Sequence, residues 1–165
     1  MVSAEAGVIE EHRDGYMIST DAAKLDLDVI HGFLSQAYWC EGIPRRTLER
    51  GIQNSLCFGV YAEGRQVGFA RIISDRATFA YLADVFILET HRGRGLSKWM
   101  MQVIMAHPDL QGLRRWSLGT KDAHGLYSRY GFASPKFPDR LMEIYDPDIY
   151  KPAPSAPIEP KGEEA

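Results

Sequence analysis

The chain has 165 residues, 45% hydrophobic and 25% charged, which suits one domain able to bury a core without disulfide or metal staples. Nineteen basic residues against 22 acidic ones leave a net charge of −3, which argues against a nucleic-acid partner bound through a basic surplus. No apolar run reaches the roughly 18 residues of a membrane span: Tyr81 to Leu88 is the longest, and Asp84 interrupts it. The N-terminal stretch Met1 to Asp14 is polar and unlike a secretory leader, so a cytoplasmic protein with no membrane partner is expected. Cys40 and Cys57 form no CxxC, and His12, His31, His91 and His107 have no ligand spacing, so no metal site is expected.

Residues 1–14 read as a flexible N-terminus, residues 15–146 as the folded domain and residues 147–165 as a disordered tail. Five of the nine prolines fall between Pro147 and Pro160, in a stretch with too little apolar surface to offset its ordering entropy. The domain opens with a short strand, Tyr16 to Ser19. Apolar residues from Leu25 to Ala37 recur at helical spacing, with Asp21 or Asp26 as N-cap. Pro44 starts a second helix carrying Leu48 and Ile52. Cys57 to Ala62 and Gln66 to Ile73 form a hairpin about Glu63-Gly64-Arg65. Phe79 to Leu88 is apolar on both faces, hence a central strand. Gly95 to Ala106 is an amphipathic helix, Leu113 to Leu118 a strand, Asp122 to Tyr130 a short helix stopped by Gly131, and Leu141 to Tyr145 a last strand. This order gives an α/β (α+β type) domain on a mixed, mostly antiparallel sheet of about six strands flanked by four helices.

The chemistry is concentrated in the segment from Asp84 to Lys98. An apolar strand runs into a turn containing Gly93 and Gly95, and the turn opens directly into a helix. Glycines let the amides converge, the helix start adds a positive dipole end, and Arg92 and Arg94 add charge: a cradle for phosphate or pyrophosphate. A P-loop is excluded, because Lys98 is followed by Trp99 and lacks the preceding glycine. A dinucleotide fingerprint is excluded too, because Lys98 stands where its third glycine belongs.

Arg92-Gly93-Arg94-Gly95-Leu96-Ser97 resembles the Q/R-x-x-G-x-G/A signature of the GNAT N-acetyltransferases, with Ser97 in place of the final glycine or alanine. A second segment agrees. Ala123, Tyr127, Gly131 and Phe132 fall on that family's N-x-x-A-x-x-x-Y-x-x-x-G-F pattern, with Thr120 at the asparagine. The resemblance spans residues 16 to 145 and implies the acyl-CoA N-acyltransferase fold, with acetyl-CoA as co-substrate and an amine-bearing small molecule or protein as acceptor.

The resemblance further implies that the sheet splays between the strands Phe79 to Leu88 and Leu113 to Leu118. Pantetheine would bond the backbone of Val85, Phe86 and Ile87, while the loop from Arg92 through Gly93, Arg94, Gly95, Leu96 and Ser97 to Lys98 would take the pyrophosphate, with Thr120 alongside. Tyr127 occupies the position of the general acid for the leaving thiolate, or else is a packing tyrosine beside the cofactor. Asp84 is the one ionisable group within the central apolar strand, which makes it either the general base or a buried structural hydrogen-bonder; Tyr81 is the fallback. Asp122 reads as an N-cap and His124 as a surface group. Tyr38 and Trp39, beside Glu41, would wall the acceptor cleft and suit a cationic or aromatic amine. The family resemblance allows a homodimer, although the residues carry no interface signature. A non-catalytic acyl-CoA sensor on the same fold is the alternative to an enzyme.

Overall fold

The structure is a computed structural model that describes residues 7–152. Six strands form one open sheet in sequential order: β1 (Glu10–Arg13), β2 (Tyr16–Ser19), β3 (Leu56–Ala62), β4 (Arg65–Ser74), β5 (Phe79–Ile87) and β6 (Arg115–Leu118). Each neighbour pair is antiparallel except β5 and β6, which are parallel. The helices are α1 (Leu27–Leu34), α2 (Arg45–Gln53), α3 (Leu96–Ala106) and the single turn α4 (His124–Tyr127). No helix among the described residues is long and apolar enough to cross a membrane.

The expected count of strands and helices holds, but one strand changes identity. Glu10–Arg13, read from sequence as loose, pairs with β2 through a turn at Asp14 (φ 51°) and Gly15 (φ 79°). Asp-Gly with both residues at positive φ is the two-residue turn whose twist matches a hairpin. Conversely, Leu141–Tyr145 forms no strand and lies exposed. The tail expectation also needs correction at its start: Tyr150 packs against the α1–α2 core, and its carbonyl lies 3.2 Å from where a Cβ on Gly42 would stand. Residues 153–165 lie outside the described residues.

Two cores flank the sheet. On one face α3 buries Leu96, Trp99, Met100, Met101 and Ile104 against Ile18, Phe58, Val60, Ala70, Ile72, Ala80 and Leu82. On the other, Ile30 and Leu34 of α1 and Leu48 of α2 cover Cys57, Phe69 and Phe86. Phe33 stacks on Phe86 with ring centroids 4.0 Å apart. Asp26 caps α1 by accepting from the amides of Asp28 and Val29. The helices therefore cover β4 and β5 from both sides.

Candidate active site

The seam opens part-way along β5. Parallel pairing runs from Phe79↔Arg115 to Leu82↔Leu118 and stops, so Ala83 to Ile87 has no partner on the β6 side. On the other side the β4 register shifts: Phe69 faces Phe86, while Arg71 faces Ala83. Asp84 and Val85 together oppose Ala70. This is a bulge, and Asp84 supplies its left-handed residue at φ 56°. The bulge turns the Asp84 carboxylate toward the α1–α2 side. There its Oδ2 accepts from Arg71 Nε at 2.7 Å and its Oδ1 from Trp39 Nε1 at 3.3 Å. Phe86 and Ile87 bury their side chains in opposite cores, so they offer a ligand only backbone.

Beyond β5 the chain makes one tight turn, Glu89–His91, and reaches the glycines. The guanidinium of Arg92 donates through Nε to the Ile87 carbonyl at 3.0 Å, folding the loop back on the strand end. Gly93 (φ 76°) and Gly95 (φ 75°) are both left-handed. Gly95 is the N-cap of α3 and provides no side-chain cap, so the first helical amides at Leu96, Ser97 and Lys98 have no intrahelical acceptor. A Cβ on Gly93 would meet nothing within 4 Å, so space lies over the turn. Arg92, Arg94 and Lys98 are exposed around it. These features fit an anionic pyrophosphate: helix-start amides without intrahelical acceptors, a helix dipole, and three exposed cations within the same seven residues.

Sequence reasoning missed a fourth cation. Arg13 of β1 lies over the Trp99 ring at 5.2 Å, and its Nη2 is 3.7 Å from the Cβ position of Gly95. The signal was present in Asp14-Gly15, a hairpin dipeptide that assigns a strand to the residues before it. From β2, the Tyr16 hydroxyl meets His91 Nδ1 at 3.0 Å, so the first hairpin braces the cradle.

Across the seam, Tyr127 of α4 is buried to 8% exposure, and burial pushes its hydroxyl up to about 12, with smaller contributions from Tyr38 and Asp122. Asp122 does not cap α4: the N-cap is Ala123, with no side-chain cap, and the Thr120 Oγ1 accepts the Ala123 amide at 3.0 Å in the turn before the helix. His124 is exposed. Tyr38 and Trp39, at the end of the α1 arm, reach both walls. The Tyr38 hydroxyl accepts from the Lys121 amide at 3.1 Å, and the Trp39 indole donates to Asp84. Their rings meet edge to face at 5.0 Å. Tyr81 is partly exposed, and a Cβ on Gly119 would stand 3.3 Å from its hydroxyl. Tyr38, Trp39 and Asp84 are thus brought together, with Tyr127 within electrostatic reach of Tyr38. Val85 to Ile87 and the glycine loop follow one another along the same seam. No group of three or more potential metal ligands occurs among the described residues. Burial pushes both thiols, Cys40 and Cys57, up to about 12, which suits neither a nucleophile nor a metal ligand.

Known proteins agree with this architecture. The family profile of the acetyltransferase (GNAT) domain matches residues 53–134. A candidate acetyltransferase of Gibberella zeae is 36% identical over 140 residues, covering 71% of this chain and 78% of its own. The crystal structure of a candidate GNAT acetyltransferase from Xanthomonas campestris pv. campestris is 57% identical, with TM-score 0.83, over 86% of this chain and all of its own. A further structure, a candidate acetyltransferase from Clostridium acetobutylicum with acetyl-CoA, shares the fold at 16% identity and TM-score 0.57, over 79% of this chain and 94% of its own. An open six-stranded sheet that parts beside a glycine-turn helix start, with these relatives, places the chain in the GNAT acetyltransferase family.

Proposed function

We propose that this protein is an acetyl-CoA-dependent N-acetyltransferase that moves the acetyl group directly from the CoA thioester to an amine. The observation that carries the reading is the continuity of three elements along one seam. These are a stretch of β5 without a β6 partner, an uncapped α3 start between two left-handed glycines, and a buried tyrosine across the gap. The Clostridium structure with acetyl-CoA supports the choice of co-substrate at the level of the fold.

In this reading the β5 backbone at Val85 to Ile87 bonds the pantetheine amides, and the Leu96 to Lys98 amides hold the pyrophosphate with Arg92, Arg94 and Arg13 around it. The neutral amine forms the new C–N bond as the C–S bond breaks. Tyr127 gives its hydroxyl proton to the departing sulfur and takes one back from solvent, and its raised pKa means that it enters the reaction protonated. Asp84 is assigned a holding role. Its two oxygens are engaged by the Arg71 guanidinium and the Trp39 indole, and in this reading the proton lost by the amine passes to solvent. Tyr38, Trp39 and Tyr81 form the acceptor wall, an aromatic surface suited to a cationic or aromatic amine.

The test is thermal. Acetyl-CoA at about 100 times its dissociation constant adds about 2.7 kcal/mol, which raises the melting temperature by roughly 5–10 °C for a chain of this length. A shift followed by amine-dependent thiol release is the expected result. A shift without thiol release from any amine class would make the protein an acyl-CoA binder, and no shift would remove the cradle assignment.

A further inference from the structure

On the α1–α2 side of the sheet lies an open cavity of about 400 Å³, at the small end of the range for ligand sites. Ile43, Leu48 and Tyr150 give it an apolar wall, and two cations line it, Arg50 from α2 and Arg71 from β4. Arg71 is largely buried. It donates through Nε to Asp84 at 2.7 Å and through Nη1 to the Ser55 hydroxyl at 3.2 Å, which leaves Nη2 without a partner among the described residues. Arg50 lies one turn after Arg46, and neither guanidinium has an ion-pair partner among the described residues. Glu49, the only acid of α2, is held by Arg45 at 3.5 Å instead. Like charges four residues apart on a helix repel, a cost that an anion at this face would relieve. Gly51 adds a second cost. It lies within α2 without a positive φ, where alanine is the better helix residue. A Cβ there would stand 3.2 Å from Arg71 Nη1 and 3.6 Å from its Cζ, so the missing side chain is the room that the guanidinium uses.

We propose that this cavity binds the carboxylate of the acceptor, which makes the acceptor a small amine bearing a carboxylate; the inference rests on the acetyl-transfer reading above and names its substrate class. Position supports it. Arg71 both lines the cavity and bonds Asp84, and Asp84 accepts from Trp39 of the acceptor wall within the β5 stretch that has no β6 partner. An acceptor that spans this one guanidinium has its acid end in the cavity and its amine end at the Trp39 wall, beside the seam. Charge selects the anion. Asp84 neutralises Arg71, so Arg50 leaves a single net positive charge in the lining, which matches a carboxylate better than a phosphate dianion. Guanidinium groups offer planar N–H donors that fit a carboxylate, and the apolar wall takes a short methylene chain.

The experiment compares acetyl-CoA-dependent thiol release from ω-amino acids, glycine through 6-aminohexanoate, with release from n-alkylamines of the same carbon count. Calorimetric titration of the same amino acids reports binding without turnover. The variants are Arg50→Gln, whose exposed position keeps the fold, and Gly51→Ala, which should hold or raise the melting temperature. In the wild type, kcat/KM for at least one amino acid should exceed that of its alkylamine by about 10- to 100-fold, as charge-assisted hydrogen bonds contribute. Both variants should shrink that advantage to within about 3-fold, by raising KM for the amino acid rather than lowering kcat. Alkylamines that react as well as the amino acids overturn the inference and leave acetyl transfer standing. An advantage that survives Arg50→Gln overturns it too, as does the absence of amino-acid binding. Binding that Arg50→Gln abolishes, with no thiol release from either set, supports the carboxylate site and removes the acetyl-transfer reading instead.

Discussion

Tyr127 and Asp84 show how the same composition can serve two ends. Tyr127 is a phenol with its pKa pushed up by burial, so it is protonated at neutral pH, as a proton donor must be. Replacing it with phenylalanine should lower kcat by at least about 100-fold while leaving acetyl-CoA affinity nearly unchanged, measured by thiol release and by calorimetric titration. Equal loss of both would make the ring a binding surface instead. Asp84 sits at φ 56°, where asparagine is also tolerated, so Asp84→Asn removes the charge without disturbing the bulge. It leaves the Arg71 guanidinium without its anion and should destabilise the fold by about 3 kcal/mol, the lower end for breaking a buried pair, read from urea denaturation. The sequence shows that Asp84 stands alone in an apolar strand. It does not show Arg71, thirteen residues earlier, because only the hairpin register brings β4 and β5 side by side.

At the scale of elements, the glycine turn decides the site. Gly93 at φ 76° has space above it, so the obstacle to a side chain there is backbone conformation and not a clash. Gly93→Val should cost about 1–2 kcal/mol in stability and weaken acetyl-CoA binding by more than that strain alone, because a re-formed turn aims its amides elsewhere. The pair of measurements is a denaturation midpoint and a calorimetric dissociation constant; unchanged affinity would place the pyrophosphate elsewhere. The turn, the helix after it and the α4 pattern were legible because each rests on local residue types. The start of α4 was not legible: Asp122 is a sound capping residue, yet the N-cap falls one residue later, at Ala123, with no side-chain cap, and Thr120 accepts the Ala123 amide instead. The first hairpin was written locally in Asp14-Gly15, and it matters beyond its size: it brings Arg13 to the cradle.

At the scale of the whole molecule, stability should carry a signature of pH. His107 follows α3, is almost wholly buried, and accepts the Asp109 amide on Nδ1, so it is neutral when folded. Burial lowers its pKa below the ordinary 6.5, opposed by Asp109 and reinforced by Arg76. The unfolded chain then binds more protons than the folded one below that value. The contribution is therefore complete above about pH 6.5 and declines as pH falls toward the folded pKa. Urea midpoints should drop between pH 7.5 and 5.5, and His107→Gln should flatten that slope; an equal slope in the variant would assign it to other groups. The sequence by itself determined what depends on neighbours along the chain: helix periodicity, the hairpin at Glu63-Gly64, and the loop whose glycines and arginines spell an anion cradle. The tertiary structure alone decided what depends on pairing between distant segments. It set where β5 and β6 part, which carboxylate meets Arg71, and that Leu141 to Tyr145, strand-like in composition, pairs with no strand among the described residues. A strand is completed by its neighbour, and composition does not say where that neighbour is.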